Sequence, residues 1–268
     1  MTKVRWTVLP RDLLLIIFKK VEDPSDIYRC GTVCVSWKSV ATAILSHFIL
    51  LISYDGGSGC FLFNTKTKGI HNITLPELNH VQFFISSSFG WLLTVDKQYK
   101  VCLLNPFTRE QIKLPLARYW LRRPRCFRVI TSTSPLDPEC IVLVKYYSYN
   151  KHSVAYCRPG DWNWTVRKLS NWSGSDFIFY KGEFYSIDFY GKLFRICLRR
   201  GLVESSLPQL ELRDTDVTDL VEVEGNLLLV VRSGCISGDP YPCVVYKLDW
   251  FEKQWIRVRS IGNYSILL

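Results

Sequence analysis

Few residues of this 268-residue chain have the types and spacing that covalent chemistry requires. The sequence contains no HExxH, GxSxG, GxGxxG or GxxxxGK motif, and its four histidines have no recurring spacing. Three acidic residues, Asp214, Asp216 and Asp219, cluster locally and could form a carboxylate pair like that of a glycoside hydrolase. A turn or a solvated loop explains the same cluster more simply, and we favour that interpretation.

A basic segment with aromatic residues lies between positions 118 and 128, in a chain of formal net charge +10. Its arginines are Arg118, Arg122, Arg123, Arg125 and Arg128, gathered around Tyr119-Trp120. Three interpretations follow from this pattern. A solvated loop is favoured, an acidic protein partner attracted by the charge comes second, and nucleic-acid binding is the least favoured.

The cysteines and the N-terminus indicate the compartment. Ten cysteines are scattered without a CxxC pair, mostly inside apolar runs, which is typical of free thiols in a reducing environment. Cys30 and Cys34 would lie four residues apart on a helix, but no local His or Cys completes a site, so we predict no metal and no cofactor. No apolar run reaches the ~18 residues needed to span a bilayer, and Arg11-Asp12 interrupts the signal-like start. The prediction is a cytoplasmic or nuclear protein without membrane contact.

The first 46 residues carry the pattern of three short helices. Pro10 suits a first helical turn, and Asp12 suits the positive end of the helix dipole ahead of six apolar residues at positions 13–18. Asp23 and Pro24 fit the N-cap and the first position of a second helix. Apolar residues at positions 33, 37, 40, 41 and 44 fall on one face of a third helix. Because the first helix is apolar on most of its surface and so small a unit cannot cover it, we predict that a second protein does.

Beyond Ser46 the sequence predicts a mainly β region built from a repeat. Two strands joined by a polar turn begin at Phe61, Cys102, Val154, Phe194 and Val244, on average about 46 residues apart, which is typical of four-stranded propeller blades. Hairpins with glycine at the turn are predicted around Gly182 and Gly225. The predicted fold is therefore a small N-terminal all-α module (1–46) followed by a β-propeller-like domain (47–268) of about five blades. A non-repetitive β-sandwich is the alternative.

The N-terminal segment resembles an F-box. The residues that carry this resemblance are Leu9, Pro10, Asp12, Leu13, Leu14, Asp23, Pro24, Cys30, Val33, Cys34 and Trp37. The whole chain resembles plant F-box proteins with a C-terminal kelch-like β domain, which makes residues 1–46 a three-helix F-box. The segment 255–263 resembles a family motif that usually has sequence after it, so we expect a shortened member with an open or incomplete ring.

The resemblance implies a non-catalytic, substrate-recognition subunit of an SCF-type (cullin-RING) E3 ubiquitin ligase. Its F-box would dock on a Skp-type adaptor, and through it on a cullin, while the β domain presents an unknown protein substrate. Residues assigned to adaptor docking or F-box packing are Leu9, Pro10, Leu13, Leu14, Ile17, Val33 and Trp37. Residues assigned to substrate contact are Arg118, Trp120, Arg122, Arg123, Arg125 and Arg128, since loops on a rigid scaffold carry recognition.

Three alternatives to this function stay open. The first is a propeller that binds protein or nucleic acid and carries a degenerate F-box. The second is a propeller carbohydrate hydrolase, and the third is a helical module that only caps the β domain.

Overall fold

The structure, a computed structural model, describes residues 6–52, 60–86, 88–117, 127–148, 151–168, 174–198, 202–204, 208–213, 216–233, 243–262 and 266. The chain divides into two compact units. Unit 1 comprises Met1–Phe84, Gly90–Lys97 and Cys102–Ile112, and unit 2 comprises Ile85–Phe89, Gln98–Val101 and Lys113–Leu268. Within the described residues, no helix is both long and apolar enough to cross a bilayer.

Helices open the chain and strands follow. The helices are α1 (Arg11–Phe18), α2 (Pro24–Cys30) and α3 (Val35–Leu45), with short 3-10 turns at Trp6–Val8, Pro76–Leu78 and Ser88–Gly90. The strands are β1 (Phe48–Ile52), β2 (Cys60–Asn64), β3 (Ile70–Ile73), β4 (Val81–Ser86), β5 (Leu92–Asp96), β6 (Val101–Leu104), β7 (Gln111–Leu114), β8 (Phe127–Thr131), β9 (Val142–Ser148), β10 (Lys151–Cys157), β11 (Thr165–Lys168), β12 (Gly174–Tyr180), β13 (Glu183–Asp188), β14 (Leu193–Cys197), β15 (Leu202–Glu204), β16 (Asp216–Val223), β17 (Asn226–Ser233), β18 (Cys243–Asp249) and β19 (Gln254–Val258). The predicted order of a small all-α module ahead of a mainly β region is confirmed.

Local chemistry sets the ends of the helices. Asp23 is the N-cap of α2, where its carboxylate accepts the Ser25 N–H at 2.7 Å, and Pro24 takes the first helical position as predicted. Pro10 lies one residue outside α1, at its N-cap. Cys34 is extended, with φ of −164°, so α3 begins only after it. The third helix therefore starts later than the predicted pattern, which had placed position 33 on its buried face.

The three helices enclose a small core of their own. Its buried members are Leu14, Phe18, Ile27, Val40 and Ala41. The Trp37 ring packs edge-on against Phe18, with the ring centroids 5.5 Å apart. Burial of each large side chain is worth about 1.5–3 kcal/mol, and helices this short are not stable in water without such packing.

The strands form five sheets in strict chain order, and every pairing whose register is described is antiparallel. The sheets are β1–β2–β3, β4–β5–β6–β7, β8–β9–β10–β11, β12–β13–β14–β15 and β16–β17–β18–β19. The predicted repeat starts fall in β2, β6, β10, β14 and β18, which is the next-to-last strand of every sheet. One sheet per repeat is the arrangement predicted for about five blades, whereas a sandwich would have joined the strands into two sheets.

The repeat has a chemical signature at the turn between the last two strands. In three sheets an Asn or Asp begins this turn, and its side-chain oxygen accepts the backbone N–H groups two and three residues later at 2.9 and 3.1 Å. These residues are Asn64, Asn105 and Asp249. A basic residue with a positive φ of 50–62° ends each turn; these are Lys68, Arg109 and Lys253. Backbone bonds also close the turn, such as the Lys68 N–H to the Asn64 carbonyl at 2.8 Å, and the side-chain oxygen satisfies the two inner N–H groups.

Two other turns are two-residue hairpins with glycine in second place, as the sequence predicts. Lys181-Gly182 joins β12 to β13, and Glu224-Gly225 joins β16 to β17. Both residues of each pair have positive φ, between 47° and 85°. This is the turn geometry that matches the twist of paired strands and favours glycine at its second position.

In unit 2, strand β12 has a packed core on each of its two faces. Phe177 belongs to a buried cluster with Ile130 of β8 and Leu143 of β9. Tyr180 belongs to another cluster with Leu220 of β16 and Leu229 of β17. Alternate side chains of a strand point to opposite faces, so the sheet β12–β15 is buried on both sides.

A single buried carboxylate joins three strands of unit 2. Asp176 of β12, which is 1% exposed, accepts Arg128 Nε of β8 at 2.7 Å and Arg128 Nη2 at 3.2 Å. It also accepts the backbone N–H of Leu220 in β16 and of Phe177, both at 2.7 Å. We call Asp176, Arg128 and Leu220 the Asp176 hub. Burial raises the pKa of the Asp176 carboxyl even though Arg128 and the two N–H donors act in the opposite direction.

We expect Asp176→Ala to lower the free energy of unfolding by about 2–3 kcal/mol, because the Leu220 and Phe177 N–H groups both lose their buried acceptor, whereas the half-exposed Arg128 side chain can be solvated. Chemical denaturation followed by tryptophan fluorescence measures the change. The matched control is Glu139→Ala, which breaks the exposed Arg158–Glu139 pair at 3.2 Å and should cost less than about 1 kcal/mol. A loss at Asp176 no larger than the control would contradict the role of the hub.

Candidate functional site

The outer surface of α1 is apolar and uncovered. Leu13, Ile16 and Ile17 are 47%, 55% and 36% exposed, whereas Leu14 and Phe18 of the same helix are fully buried. The three exposed residues stand at positions i, i+3 and i+4, which share one side of a helix. We call Leu13, Ile16 and Ile17 the apolar face. Half of the apolar run therefore fills the internal core, and the other half is left to solvent.

Four more large apolar side chains are exposed in the same helical module. They are Trp6, Val8, Val33 and Val35, the last of which is 86% exposed. The Trp37 indole N–H donates to the Trp6 carbonyl at 3.0 Å, so the N-terminal turn is held against α3. The module thus combines a small closed core with an unusual number of uncovered apolar groups.

The helical module contacts the β region of unit 1 through α2. The Tyr28 ring stacks on Phe107, in the turn between β6 and β7, with centroids 5.7 Å apart and an interplanar angle of 4°. Asn105 Nδ2 donates to the Tyr28 hydroxyl at 3.3 Å. The apolar face takes no part in these contacts. It is therefore not sealed by the sheet that Tyr28 packs against.

The structure separates the residues predicted for adaptor docking into two groups. Leu14 and Trp37 pack in the internal core. Pro10, Leu13, Ile17 and Val33 are exposed, and Leu9 is half-buried. Ile16 and Val35 were missed by sequence reasoning, as were Trp6 and Val8. Ile16 could have been found from the helical spacing of positions 13, 16 and 17.

Val33 corrects one sequence-based expectation. It lies in the turn between α2 and α3, where its N–H donates to the Cys30 carbonyl at 3.2 Å. It therefore does not share the buried face of Trp37 and Val40. For the same reason Cys30 and Cys34 are not one helical pair, because Cys30 ends α2 and Cys34 precedes α3.

The described cysteines are free thiols in differing environments. Cys60, Cys140 and Cys157 are buried, and burial raises the pKa of each. Cys34 differs: a hydrogen bond with the Ser36 hydroxyl, 3.1 Å away, is the main cause that lowers its pKa. Cys126 and Cys235 lie outside the described residues. Among the described residues, no group of three or more His, Cys, Asp or Glu side chains could hold a metal ion.

Most of the predicted substrate-contact residues cannot be placed. Arg118, Trp120, Arg122, Arg123 and Arg125 lie outside the described residues. Arg128 is described and lies in β8. Its guanidinium donates two hydrogen bonds to Asp176, while 46% of its side chain stays exposed. Its contact with substrate stays a prediction.

The described members of the acidic cluster have structural roles. Asp214 lies outside the described residues, and Asp216 accepts the Arg213 N–H at 2.9 Å, which closes a turn. Asp219 pairs with Arg232 at 2.8 Å and lies 3.8 Å from Arg128 Nη1. Asp219 and Asp176 are therefore both held by arginine, an arrangement unlike the acid and base of a glycoside hydrolase, which face the sugar.

Comparisons with known proteins agree with this organisation. A family model described as KIB1-4 beta-propeller matches residues 62–268, and a model described as F-box-like matches residues 6–50. F-box protein SKIP23 of Arabidopsis thaliana is 26% identical over 323 residues, which cover 99% of this chain and 78% of that protein. F-box protein At1g49360 of the same plant is 26% identical over 285 residues, with 97% and 56% covered. The chain spans 55–78% of the length of six such relatives.

Similarity to solved structures is weaker. The apo structure of AztD from Citrobacter koseri is 12% identical, covers 80% of this chain and 58% of that chain, and has a TM-score of 0.45. The F-box-like match contains α1, α2 and α3, and the propeller match contains every strand from β3 to β19. The predicted domain boundary between residues 46 and 47 stays a prediction. Since the propeller model covers well over half of the sequence, the chain belongs to the KIB1-4 β-propeller family and is a plant F-box protein with a C-terminal β domain.

Proposed function

We propose that the protein is a substrate-recognition subunit of an SCF-type ubiquitin ligase, whose apolar face docks on a Skp-type adaptor and through it on a cullin. The observation that carries this proposal is the division of α1. Leu14 and Phe18 complete the internal core, while Leu13, Ile16 and Ile17 stay uncovered. Membership of the F-box-like family supports the choice of adaptor.

The composition of the apolar face suits a protein partner. Interface centres are apolar and depleted of charge, with polar groups at the rim. Here the exposed charges of Arg11, Asp12, Lys19 and Lys20 stand at the two ends of α1, on either side of the apolar face. A partner with an apolar groove would bury the face and leave these charges in water.

The role proposed for this protein in the ligase is positioning, without bond-making by its own side chains. Holding a bound substrate beside a ubiquitin-charged enzyme raises the local concentration of the attacking lysine. Substrate would be held by the β region, and the basic segment 118–128 is our candidate for this contact. We place this activity in the cytoplasm or the nucleus, where free thiols such as those of Cys30 and Cys60 stay reduced.

We expect Leu13→Asp combined with Ile17→Asp to weaken adaptor binding by about a hundredfold or more. Each apolar side chain buried on docking is worth about 1.5–3 kcal/mol, and a charge in its place opposes burial. Calorimetry or surface plasmon resonance with purified Skp-type adaptor measures the affinity. The matched control is Leu136→Asp, at a residue of unit 2 that is also half exposed. Equal affinity of the double variant and the wild type would contradict the proposal.

Leu14→Ala separates packing from docking. This residue is fully buried, so its truncation should lower the free energy of unfolding of the helical module by about 2–5 kcal/mol. Leu13→Ala should cost less than about 1 kcal/mol, because the side chain is half exposed already. Thermal unfolding followed by circular dichroism at 222 nm distinguishes the two. Similar losses would show that Leu13 also belongs to the core.

The alkylation rate of Cys34 gives an independent test of where the adaptor binds. The lowered pKa of this thiol favours the reactive thiolate, and the exposed Val33 and Val35 flank it. We expect alkylation of Cys34 by iodoacetamide at pH 7.5, measured by peptide mass spectrometry, to slow severalfold in the adaptor complex. Alkylation of the exposed Cys243 is the control and should not change. Unchanged labelling of both would place the adaptor elsewhere.

A further inference from the structure

The turn between β18 and β19 has the same local geometry as the turn that contacts helix α2. It starts at Asp249, whose Oδ1 accepts the N–H groups of Phe251 and Glu252 at 2.9 and 3.1 Å. In the turn between β6 and β7, Asn105 Oδ1 accepts the N–H groups two and three residues later at the same two distances. Both turns join the last two strands of their sheets. Residues at the same step along the two turns are therefore structurally equivalent.

Phe107 and Phe251 occupy the same step of these turns but differ in what covers them. The Phe107 ring is half-buried and stacks on the Tyr28 ring of α2, with centroids 5.7 Å apart. Phe251 is 90% exposed. In the first sheet, where Asn64 starts the same kind of turn, Lys66 takes this position. The last sheet thus presents to solvent an aromatic ring whose counterpart in the second sheet contacts a helix.

A rigid base supports Phe251. The ring of its neighbour Trp250 stacks on Tyr180 of β12, with centroids 5.8 Å apart and an interplanar angle of 5°. Tyr185 of β13 meets the same indole edge-on, with centroids 5.5 Å apart. The Tyr180 hydroxyl donates to the Gly225 carbonyl at 2.6 Å, in the hairpin between β16 and β17. Because the neighbouring sheet already fixes the turn, docking on it costs little conformational entropy.

The side chain of Asp249 indicates which aromatic residue the turn suits. Asn105 uses Oδ1 for its own turn and donates an Nδ2 hydrogen to the Tyr28 hydroxyl at 3.3 Å. The equivalent atom of Asp249 is Oδ2, which accepts no hydrogen bond from the residues that the structure describes. A carboxylate oxygen only accepts, so it suits a tyrosine hydroxyl as donor, and its charge repels a phosphorylated tyrosine.

We propose that the turn 249–253 is a docking site for a helix of a partner protein that presents a tyrosine. The tyrosine ring stacks on Phe251, and its hydroxyl donates to Asp249 Oδ2. Trp250, which is 38% exposed, extends the apolar contact. The turn belongs to unit 2 and shares no residue with the apolar face of α1, so this site goes beyond the adaptor docking proposed above.

The test measures binding of a fluorescein-labelled helical peptide to the full chain by fluorescence polarisation. The peptide, Asp-Pro-Ser-Asp-Ile-Tyr-Arg-Ala-Ala-Glu-Ala-Ala-Lys-Ala-Ala-Lys, begins with the sequence that forms α2 and is extended so that it forms a helix alone. We expect saturable binding that Phe251→Ser weakens about tenfold or more, because the ring contact is lost. Phe in place of the peptide's Tyr should weaken it about fivefold to tenfold, because Asp249 loses the donor.

The matched control is Phe189→Ser, the same change at an exposed phenylalanine in the turn between β13 and β14, which should leave the affinity unchanged. Thermal unfolding checks that both variants fold. Equal affinity of the wild type and Phe251→Ser, or an equal loss in the control, would overturn the docking site. So would tighter binding of the phosphotyrosine peptide, or undiminished binding of a peptide whose helix is broken by two central prolines.

Sedimentation velocity of the full chain tests whether a second copy is the occupant instead. We expect the same association state for the wild type and Phe251→Ser. Self-association that this substitution abolishes would assign the ring to contact between copies and overturn the partner helix. None of these measurements requires the adaptor, so their failure is distinguishable from a failure of the proposed ligase function.

Discussion

In unit 2, the buried carboxylate of Asp176 links three strands that belong to three different sheets. Asp176 accepts hydrogen bonds from Arg128 in β8, from Leu220 in β16 and from its own neighbour Phe177. Apolar clusters on both faces of β12 supply burial, but the hydrophobic effect has no direction. The hydrogen bonds from Asp176 to β8 and β16 are directional. We infer that the apolar clusters stabilise the packing of the sheets and that Asp176 fixes how these three strands of different sheets are placed against one another.

Helix α1 has apolar side chains on both its buried and its exposed side. Its six consecutive apolar residues cannot all turn inward, since α2 and α3 cover one side only. Leu14 and Phe18 fill the internal core, and Leu13, Ile16 and Ile17 stay exposed, where we propose that the adaptor docks. The core of the module does not need the three exposed side chains. Under this proposal, the same six consecutive residues would provide both stability and recognition.

The repeat was predictable because its signal is local and recurs. An Asn or Asp at the start of a tight turn, and glycine at a two-residue hairpin, report on residues close in sequence. Val33 was placed wrongly because periodicity alone does not show where a helix is interrupted, and the extended Cys34 interrupts this one. Asp176 gave no signal, since its partners lie 48 and 44 residues away.

Asn105 and Asp249 hold equivalent turns, yet they are not interchangeable. Both use a side-chain oxygen to hold the turn. Asn105 also donates an amide hydrogen to the Tyr28 hydroxyl, which ties α2 to the second sheet. A carboxylate at position 105 could only accept, so the Tyr28 hydroxyl would have to donate to it, and its charge would be buried because Asn105 is 3% exposed. Replacing the amide by an acid in the second repeat would therefore preserve the turn but place a buried charge where the sheet contacts the helices.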